Sequence, residues 1–363
     1  MKKIYIINNK YLTEDGDKLS IGGVESYIHN LCSVIIDMGY SVEIYQISSR
    51  CFCKEYDGVR VHGIVSKTKT FVKSVLKLIP KHNVVIFAND EIVYGRYDGI
   101  TVNIQHGIGW DLQEHQYRGR ALENIYELRK WVNAKHRINR AQKANCVVCV
   151  DYNYINWFRT QVDKVNPNYY VIPNFSEIPE SLYNKPMNEL NIIFARRFTS
   201  YRGTRIVGPA LRKIIDEYKN ITVTFAGTGP DEQYLRDLFP ERNVEFVQYG
   251  YNESIITHKD KHIAIVPSVG SEGTSLSLLE AMASGCAVIC TNVGGMTNIV
   301  LNGYNGIMVS PTESEVYQAI KEMIDDPKLR DFLSRNAYET VKAAFSKENW
   351  EAQWRHVIKS VML

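Results

Sequence analysis

Two trains of alternating strand and helix patterns, joined by one proline-bearing gap, leave this chain few folds to choose from. The first train has short apolar runs at 3–8, 41–47, 83–88, 100–105, 145–150 and 169–172. Between the first two runs, Val24, Tyr27, Ile28, Leu31, Ile35 and Met38 fall on one helical stripe, and Gly39 follows where a helix ends. The second train has runs at 190–196, 221–226, 243–247, 262–267 and 286–291, with helical patterns at 204–219, 274–284, 312–325 and 328–345. The segment from Pro173 to Pro186 contains three prolines and no periodicity, and reads as a linker. Repeated βα units mean parallel sheets covered by helices. The expectation is two Rossmann-like, doubly wound α/β domains, at 1–173 and 174–345, facing each other across a cleft bordered by the carboxyl ends of both sheets. The stretch 346–363 reads as a further helix, able to pack back on the first domain.

At 363 residues, with 45% hydrophobic and 23% charged residues, the chain can bury two ordinary cores, and disorder is excluded. The apolar run near the start lasts only from Ile4 to Ile7, too short for a signal peptide, and no run approaches the ~20 residues that span a bilayer. Seven cysteines suit a reducing compartment. Cys146 and Cys149 lie three apart in an apolar strand pattern, so they point to opposite faces and cannot chelate one ion. These features point to a cytoplasmic chain.

The net charge of +3 is unevenly spread. Residues 1–173 hold 23 Lys and Arg against 17 Asp and Glu, whereas residues 174–363 hold 20 against 23. The excess gathers in two helical patterns, 67–81 and 116–143. These are either solvated faces or a surface that docks on anionic lipid, which would place the chain on the inner face of the cell membrane, or that steers an anionic acceptor. Nothing in the pattern points to nucleic acid.

The most informative segment is Ile263-Ala-Ile-Val-Pro-Ser-Val-Gly-Ser-Glu272-Gly-Thr-Ser-Leu-Ser-Leu-Leu-Glu280-Ala-Met-Ala-Ser-Gly285. An apolar strand is followed by a short loop and a helix starting near Thr274, whose first N–H groups and positive dipole end suit a diphosphate. Glu272 and Glu280 are either a capping acid and a solvated glutamate, or two acceptors for the hydroxyls of one long polar ligand.

The two glutamates with seven residues between them, in this frame, resemble the donor signature of glycosyltransferase family 4. The flanking landmarks match in order: Phe194-Ala-Arg-Arg197-Phe-Thr-Ser-Tyr-Arg202-Gly203 for the Gly-Arg-Leu…Lys-Gly segment, Phe225-Ala-Gly-Thr-Gly-Pro230, Gly294-Gly-Met-Thr-Asn298 and Asn302-Gly-Tyr-Asn-Gly306. Gly22-Gly-Val-Glu25 is similar to the glycine-rich loop of the family, and Val171-Ile-Pro-Asn174 to the end of its first domain. Arg202 stands where the family has lysine, Thr274-Ser275 where it more often has Phe-Gly, Asn298 where many members have glutamate and His262 where many have aspartate.

The resemblance implies the GT-B fold and retaining, metal-independent transfer of a hexose-type sugar from a nucleotide-sugar donor, with no other cofactor. Arg197 and Arg202 would stabilise the departing diphosphate, because guanidinium forks match phosphate geometry. Glu272 would contact the transferred sugar and Glu280 the ribose. Gly273 and the backbone of Thr274, Ser275 and Leu276 would hold the phosphates. In the first domain Gly22 and Gly23 would let the backbone approach the donor. His106, at the end of a strand, would bind the sugar or polarise the reacting hydroxyl. Trp110 and Asp111 are candidate acceptor contacts. A saccharide or lipid-linked saccharide acceptor, as in bacterial surface polysaccharide synthesis, suits the basic first domain. The rival readings are a sugar-nucleotide epimerase and a non-catalytic sugar-nucleotide-binding subunit. An oxidoreductase is disfavoured, because neither glycine turn forms the Gly-x-Gly-x-x-Gly fingerprint.

Overall fold

The computed structural model describes residues 3–20, 22–108, 123–161, 168–186, 188–240, 243–250, 253–270 and 272–362. The chain divides into two compact units. One takes Met1–His106, Gly119–Pro173 and Trp350–Leu363, and the other Gly107–Arg118 and Asn174–Asn349.

The first unit is built on strands β1 (Lys3–Asn8), β2 (Ser41–Ile47), β3 (Phe52–Tyr56), β4 (Val59–Ile64), β5 (Val84–Phe87), β6 (Ile100–Gln105), β7 (Cys146–Cys149) and β8 (Tyr169–Val171). They form one sheet in the order β3-β4-β2-β1-β5-β6-β7-β8, parallel apart from the β3–β4 hairpin. The hairpin was not expected from the apolar runs. Its strands alternate, with Cys53, Glu55 and Arg60 exposed, so no continuous apolar run marks them. Helices α1 (Gly23–Asp37), α2 (Thr68–Leu78), α3 (Glu123–Ala141) and α4 (Tyr152–Arg159) accompany the sheet. β1 is buried along nearly its whole length and pairs with β2 and β5 on its two sides. Cys146 and Cys149 are buried in β7.

The second unit holds β9 (Leu190–Ala195), β10 (Ile221–Ala226), β11 (Val244–Val247), β12 (Ile263–Val266), β13 (Ala287–Thr291) and β14 (Ile307–Val309), in the order β11-β10-β9-β12-β13-β14. All its strand pairs are parallel. Its helices are α5 (Thr204–Glu217), α6 (Glu232–Leu238), α7 (Ser254–His258), α8 (Leu276–Ala283), α9 (Glu313–Asp325) and α10 (Pro327–Ala344). α5 buries Val207, Ala210, Leu211 and Ile214, one stripe at 3.6-residue spacing, in a core with Ile192, Phe194, Val223 and Phe225. Truncating a fully buried leucine such as Leu211 costs about 2–5 kcal/mol. The linker lies on this unit: Asn174 Nδ2 donates to the Thr274 carbonyl at 2.7 Å and Lys185 Nζ to the Ser284 carbonyl at 2.8 Å.

The last helix, α11 (Lys347–Met362), carries Trp350 and Trp354, both buried in the first unit. Trp354 Nε1 donates to the Tyr27 hydroxyl at 2.8 Å, and the Trp350 ring meets Tyr27 edge-on at 5.1 Å.

Candidate active site

Strand order places the candidate site of the second unit. The chain runs outward from β9 to β11, then returns to β12 on the other side of β9, so the loops after β9 and β12 diverge and leave a crevice at their carboxyl ends. Arg196 and Arg197 follow β9, and Glu272 follows β12.

Glu272 is 7% exposed, and its Oε1 accepts from Arg196 Nη2, Arg202 Nη1 and Ser268 Oγ. Burial pushes its carboxyl up, but the two guanidinium charges outweigh that, and the net displacement is below the ordinary range. Glu272 is thus a fixed anion. The loop around it is drawn tight: Gly295 N donates to the Glu272 carbonyl at 3.0 Å, and Thr291 Oγ1 to the Ser268 carbonyl at 2.5 Å. Gly294 has φ 56, and a Cβ there would come within 2.2 Å of the Glu272 carbonyl oxygen, so glycine is required.

Sequence reasoning took Arg197 and missed Arg196. The structure buries Arg196 beside Glu272 and leaves Arg197 exposed with no ion-pair partner among the described residues. Successive side chains leaving a strand point to opposite sides, so only one of the two can reach Glu272. The adjacency of two arginines at a strand end was the available signal. Arg196 Nη1 is buried without a hydrogen-bond partner among the described residues. Arg202, in a single 3-10 turn at Ser200–Arg202, pairs with Glu272 and stays partly exposed.

α8 begins at Leu276, two residues later than the pattern suggested, because Ser275 is its extended N-cap residue. Ser275 makes no side-chain cap bond and no acid lies in the first turn of the helix among the described residues, so its positive dipole end is available to an anionic group. Gly273 is half-buried, and Thr274 and Ser275 are buried. Glu280, on α8, is half-buried, and its Oε2 accepts from Ser254 Oγ at 2.6 Å. Burial pushes its carboxyl up, with the Ser254 bond and Arg196 opposing. Burial, with the Glu280 charge adding to it, pushes the nearby Tyr249 hydroxyl to about 12. Ser254, Tyr249 and Ser268 were not foreseen, since lone hydroxyls carry no pattern. His262 accepts from Asn191 N at 3.0 Å and donates from Nε2 to the Pro186 carbonyl at 2.9 Å, which makes it a brace for the linker.

In the first unit the same reversal occurs between β1 and β5. Gly22 is the extended residue before α1, and Gly23 is the first residue of that helix. A Cβ on Gly22 would meet Glu25 Oε2 at 2.1 Å. His106 follows β6, and its Nε2 donates to the Ala88 carbonyl at 2.9 Å, which leaves Nδ1 as the acceptor. Burial lowers its pKa to about 4, against the pull of the Ala88 bond, so the ring is neutral at pH 7. Tyr27 packs edge-on against it at 5.0 Å. Trp110 and Asp111 lie outside the described residues.

A buried acid thus lies between two arginines, beside a helix N-terminus without a side-chain cap, and residues 177–340 match the family model for "Glycosyl transferases group 1". The matched segment resembles group 1 glycosyl transferases and contains Arg196, Arg197, Arg202, Glu272 and Glu280. An uncharacterised glycosyltransferase of Methanocaldococcus jannaschii is 28% identical over 181 residues, covering 48% of this chain and 46% of that relative, so the chain spans about half the length of that protein. A second uncharacterised glycosyltransferase of that organism is 23% identical over 350 residues, covering 91% of this chain and 92% of that relative. The crystal structure of Anabaena HepE in complex with UDP-glucose matches with a TM-score of 0.73 at 15% identity, covering 99% of this chain and 100% of that one. That likeness extends across both units, and the fold is GT-B. Among the described residues no three His, Cys, Asp or Glu side chains group as a metal site, and no helix is long and apolar enough to cross a membrane.

Proposed function

We propose that the chain transfers a hexose-type sugar from a nucleoside diphosphate donor to a saccharide or lipid-linked saccharide, with retention and without a metal, in bacterial surface polysaccharide synthesis. Residues 174–345 would take the donor and residues 1–173 the acceptor. The observation that carries this reading is Glu272, held by Arg196, Arg202 and Ser268 at the entrance to α8. HepE was solved with UDP-glucose, which makes a UDP-hexose the first donor to test.

As the bond from the anomeric carbon to the diphosphate breaks, negative charge grows on phosphate oxygens. Arg197, Arg202 and the free N–H groups of α8 are fixed positive groups suited to receive it. Glu272 accepts hydroxyl hydrogen bonds of the sugar through its second oxygen, and Glu280 those of the ribose. Oε1 of Glu272 already accepts three hydrogen bonds, which makes this carboxylate a weak nucleophile. A double displacement needs a free one. Same-face substitution fits better: the acceptor oxygen bonds to the anomeric carbon while its proton passes to the leaving phosphate. Neutral His106 accepts from a sugar or acceptor hydroxyl through Nδ1.

The test is a thermal-shift panel of nucleotide sugars, with and without EDTA, followed by NMR of the product anomer. A matching donor raises the melting temperature by linkage in both buffers, and the product keeps the donor's configuration. A glycosyl adduct trapped on Glu272 would overturn the chemical route. A changed or hydrolysed sugar nucleotide, with no glycosylated acceptor, would replace transfer by epimerisation.

A further inference from the structure

We infer that α2 and α3 together form a docking face for an anionic lipid bilayer, α3 inserting an apolar ridge and α2 supplying positive charge. The inference extends the acceptor side of the proposed function by naming the surface on which a lipid-linked acceptor would be met.

No residue in the first half of α3 is fully buried, and Glu123, Tyr126 and Lys130 are half-buried. The only buried residues of the helix are Ala134, Ile138 and Ala141. On the outward side, Ile125, Leu128 and Val132 recur at i, i+3 and i+7, with Trp131 beside them, exposed by 55%, 62%, 38% and 51%. Four large apolar side chains on one helical ridge are costly in water, and monomeric proteins rarely keep such a ridge without a partner. Exposed Arg129, Lys135 and His136 flank the ridge, and Lys135 Nζ lies 5.3 Å over the Trp131 ring. The acid Glu123 falls on the other side of the helix, and Glu127, one turn before Trp131, borders the ridge. An apolar stripe centred on Trp and Leu with a basic border is the composition of a helix that lies in a membrane interface.

α2 supplies the second, independent observation. It buries Phe71, Val72, Val75 and Leu76, and turns Lys69, Lys73 and Lys77 outward at four-residue spacing. No acid lies within the helix. Both helices pack on one turn, Asp90–Ile92, and the residues after it. Arg137 of α3 pairs with Asp90 at 3.1 Å, Arg140 lies 4.3 Å over the Tyr94 ring, and Leu76 of α2 lies against Gly95. The two helices therefore anchor on one turn of the same unit. Charge of one sign beside an apolar ridge fits an anionic bilayer better than a second copy of a unit that is itself basic.

The test is cosedimentation of the full chain with vesicles of phosphatidylcholine and phosphatidylglycerol, against phosphatidylcholine alone, at two salt concentrations. The chain is expected on the anionic vesicles only, with part of the binding resisting salt. Each lysine removed weakens attraction to an anionic surface roughly fivefold, so Lys69→Gln/Lys73→Gln/Lys77→Gln lowers the partition coefficient roughly a hundredfold. Leu128→Ser/Trp131→Ser removes the salt-resistant part. The substituted side chains are exposed, so thermal melting of both variants should match the parent and shows that they fold. Equal binding by parent and variants, or no binding to anionic vesicles, overturns the inference. If Leu128→Ser/Trp131→Ser instead dissociates a dimer in gel filtration and leaves vesicle binding intact, the ridge belongs to a second copy. No donor enters the assay, so its failure and a failed nucleotide-sugar panel are separate results.

Discussion

The candidate sites of the two units use opposite electrostatics. In the second unit, fixed charges are gathered around one buried group: Glu272 with Arg196 and Arg202, beside a helix N-terminus without a side-chain cap among the described residues. In the first, the group that follows β6 is a histidine kept neutral by burial and steered by the Ala88 carbonyl and the Tyr27 ring. The contrast matches a division of labour. A departing diphosphate gathers charge and needs fixed cations, whereas a hydroxyl exchanging a proton is better served by an uncharged acceptor. It also sets different weaknesses, because removing a charge from the second unit strands its partner, while the first unit is loosened by losing aromatic packing.

The largest expected effect follows from that stranded partner. Glu272→Ala leaves Arg196 buried without a counter-ion, and breaking a buried pair in this way costs about 3–5 kcal/mol. Chemical denaturation should show the loss, and transfer should fall below detection. Arg196→Met/Glu272→Gln should recover much of the stability and none of the activity. If Glu272→Ala is as stable as the parent, the pair is not the keystone described. Next comes Trp354→Ala in the first unit, where loss of a buried tryptophan costs about 3–5 kcal/mol by cavity formation alone. Trp354→Phe keeps a benzene ring but removes the pyrrole half of the indole with its Nε1 donor to Tyr27, so it should cost less than Trp354→Ala, with about 1 kcal/mol of its cost due to the hydrogen bond. A His106 whose NMR shift moves in Trp354→Phe would show that the aromatic chain reaches the imidazole.

Arg197 sharpens the contrast within the second unit. It is exposed and has no ion-pair partner among the described residues, so Arg197→Ala should leave stability within about 0.5 kcal/mol. Donor affinity should fall by about 1.5–3 kcal/mol, the usual worth of a hydrogen bond to a charged group, measured by calorimetry with the nucleotide sugar that the thermal panel selects. Arg202→Ala, in contrast, should cost both stability and affinity, because Arg202 serves Glu272 as well. Equal behaviour of the two variants would erase the distinction drawn between them.

How much of this was legible beforehand varies with the kind of signal. β1, β2, β6 and β10 begin and end where the apolar runs do, because strands buried on both faces of a parallel sheet are continuous in sequence. The hairpin of β3 and β4 was missed, although Asp57-Gly58, with φ 47 and 75, is the dipeptide that two-residue hairpin turns favour. β14 is three residues long and too short to show a period. In the site, Glu272, Glu280 and Arg202 stand out through spacing and flanking glycines. Arg196, Ser254 and Tyr249 act through contacts between distant segments, which no local pattern records, and Ser268, four residues before Glu272, is a lone hydroxyl without a pattern of its own. The bond from Trp354 to Tyr27 joins residues at opposite ends of the chain, and only the fold brings them together.

The smallest effect compares one histidine from each unit, His106 half-buried and His258 fully buried. His106 and His258 both have pKa values lowered to about 4 by burial, each opposed by a bond to a backbone carbonyl. In an unfolded chain the value is about 6.5. Between about 4 and 6.5 the unfolded state binds more protons, so acidification favours unfolding. The penalty is absent above that window, grows as pH falls through it, and stops growing once the folded rings also protonate. At pH 5.5 each histidine should cost about 1 kcal/mol relative to pH 7.5. His106→Asn should remove the first unit's share, visible as a shallower fall of the denaturation midpoint between those two pH values. The share due to His258 should remain, since that ring is 1% exposed and donates to the Ser254 carbonyl at 2.7 Å. If His106→Asn leaves the pH dependence unchanged, the imidazole is not held neutral in the folded unit, and the electrostatic contrast between the two sites fails on the side of the first unit.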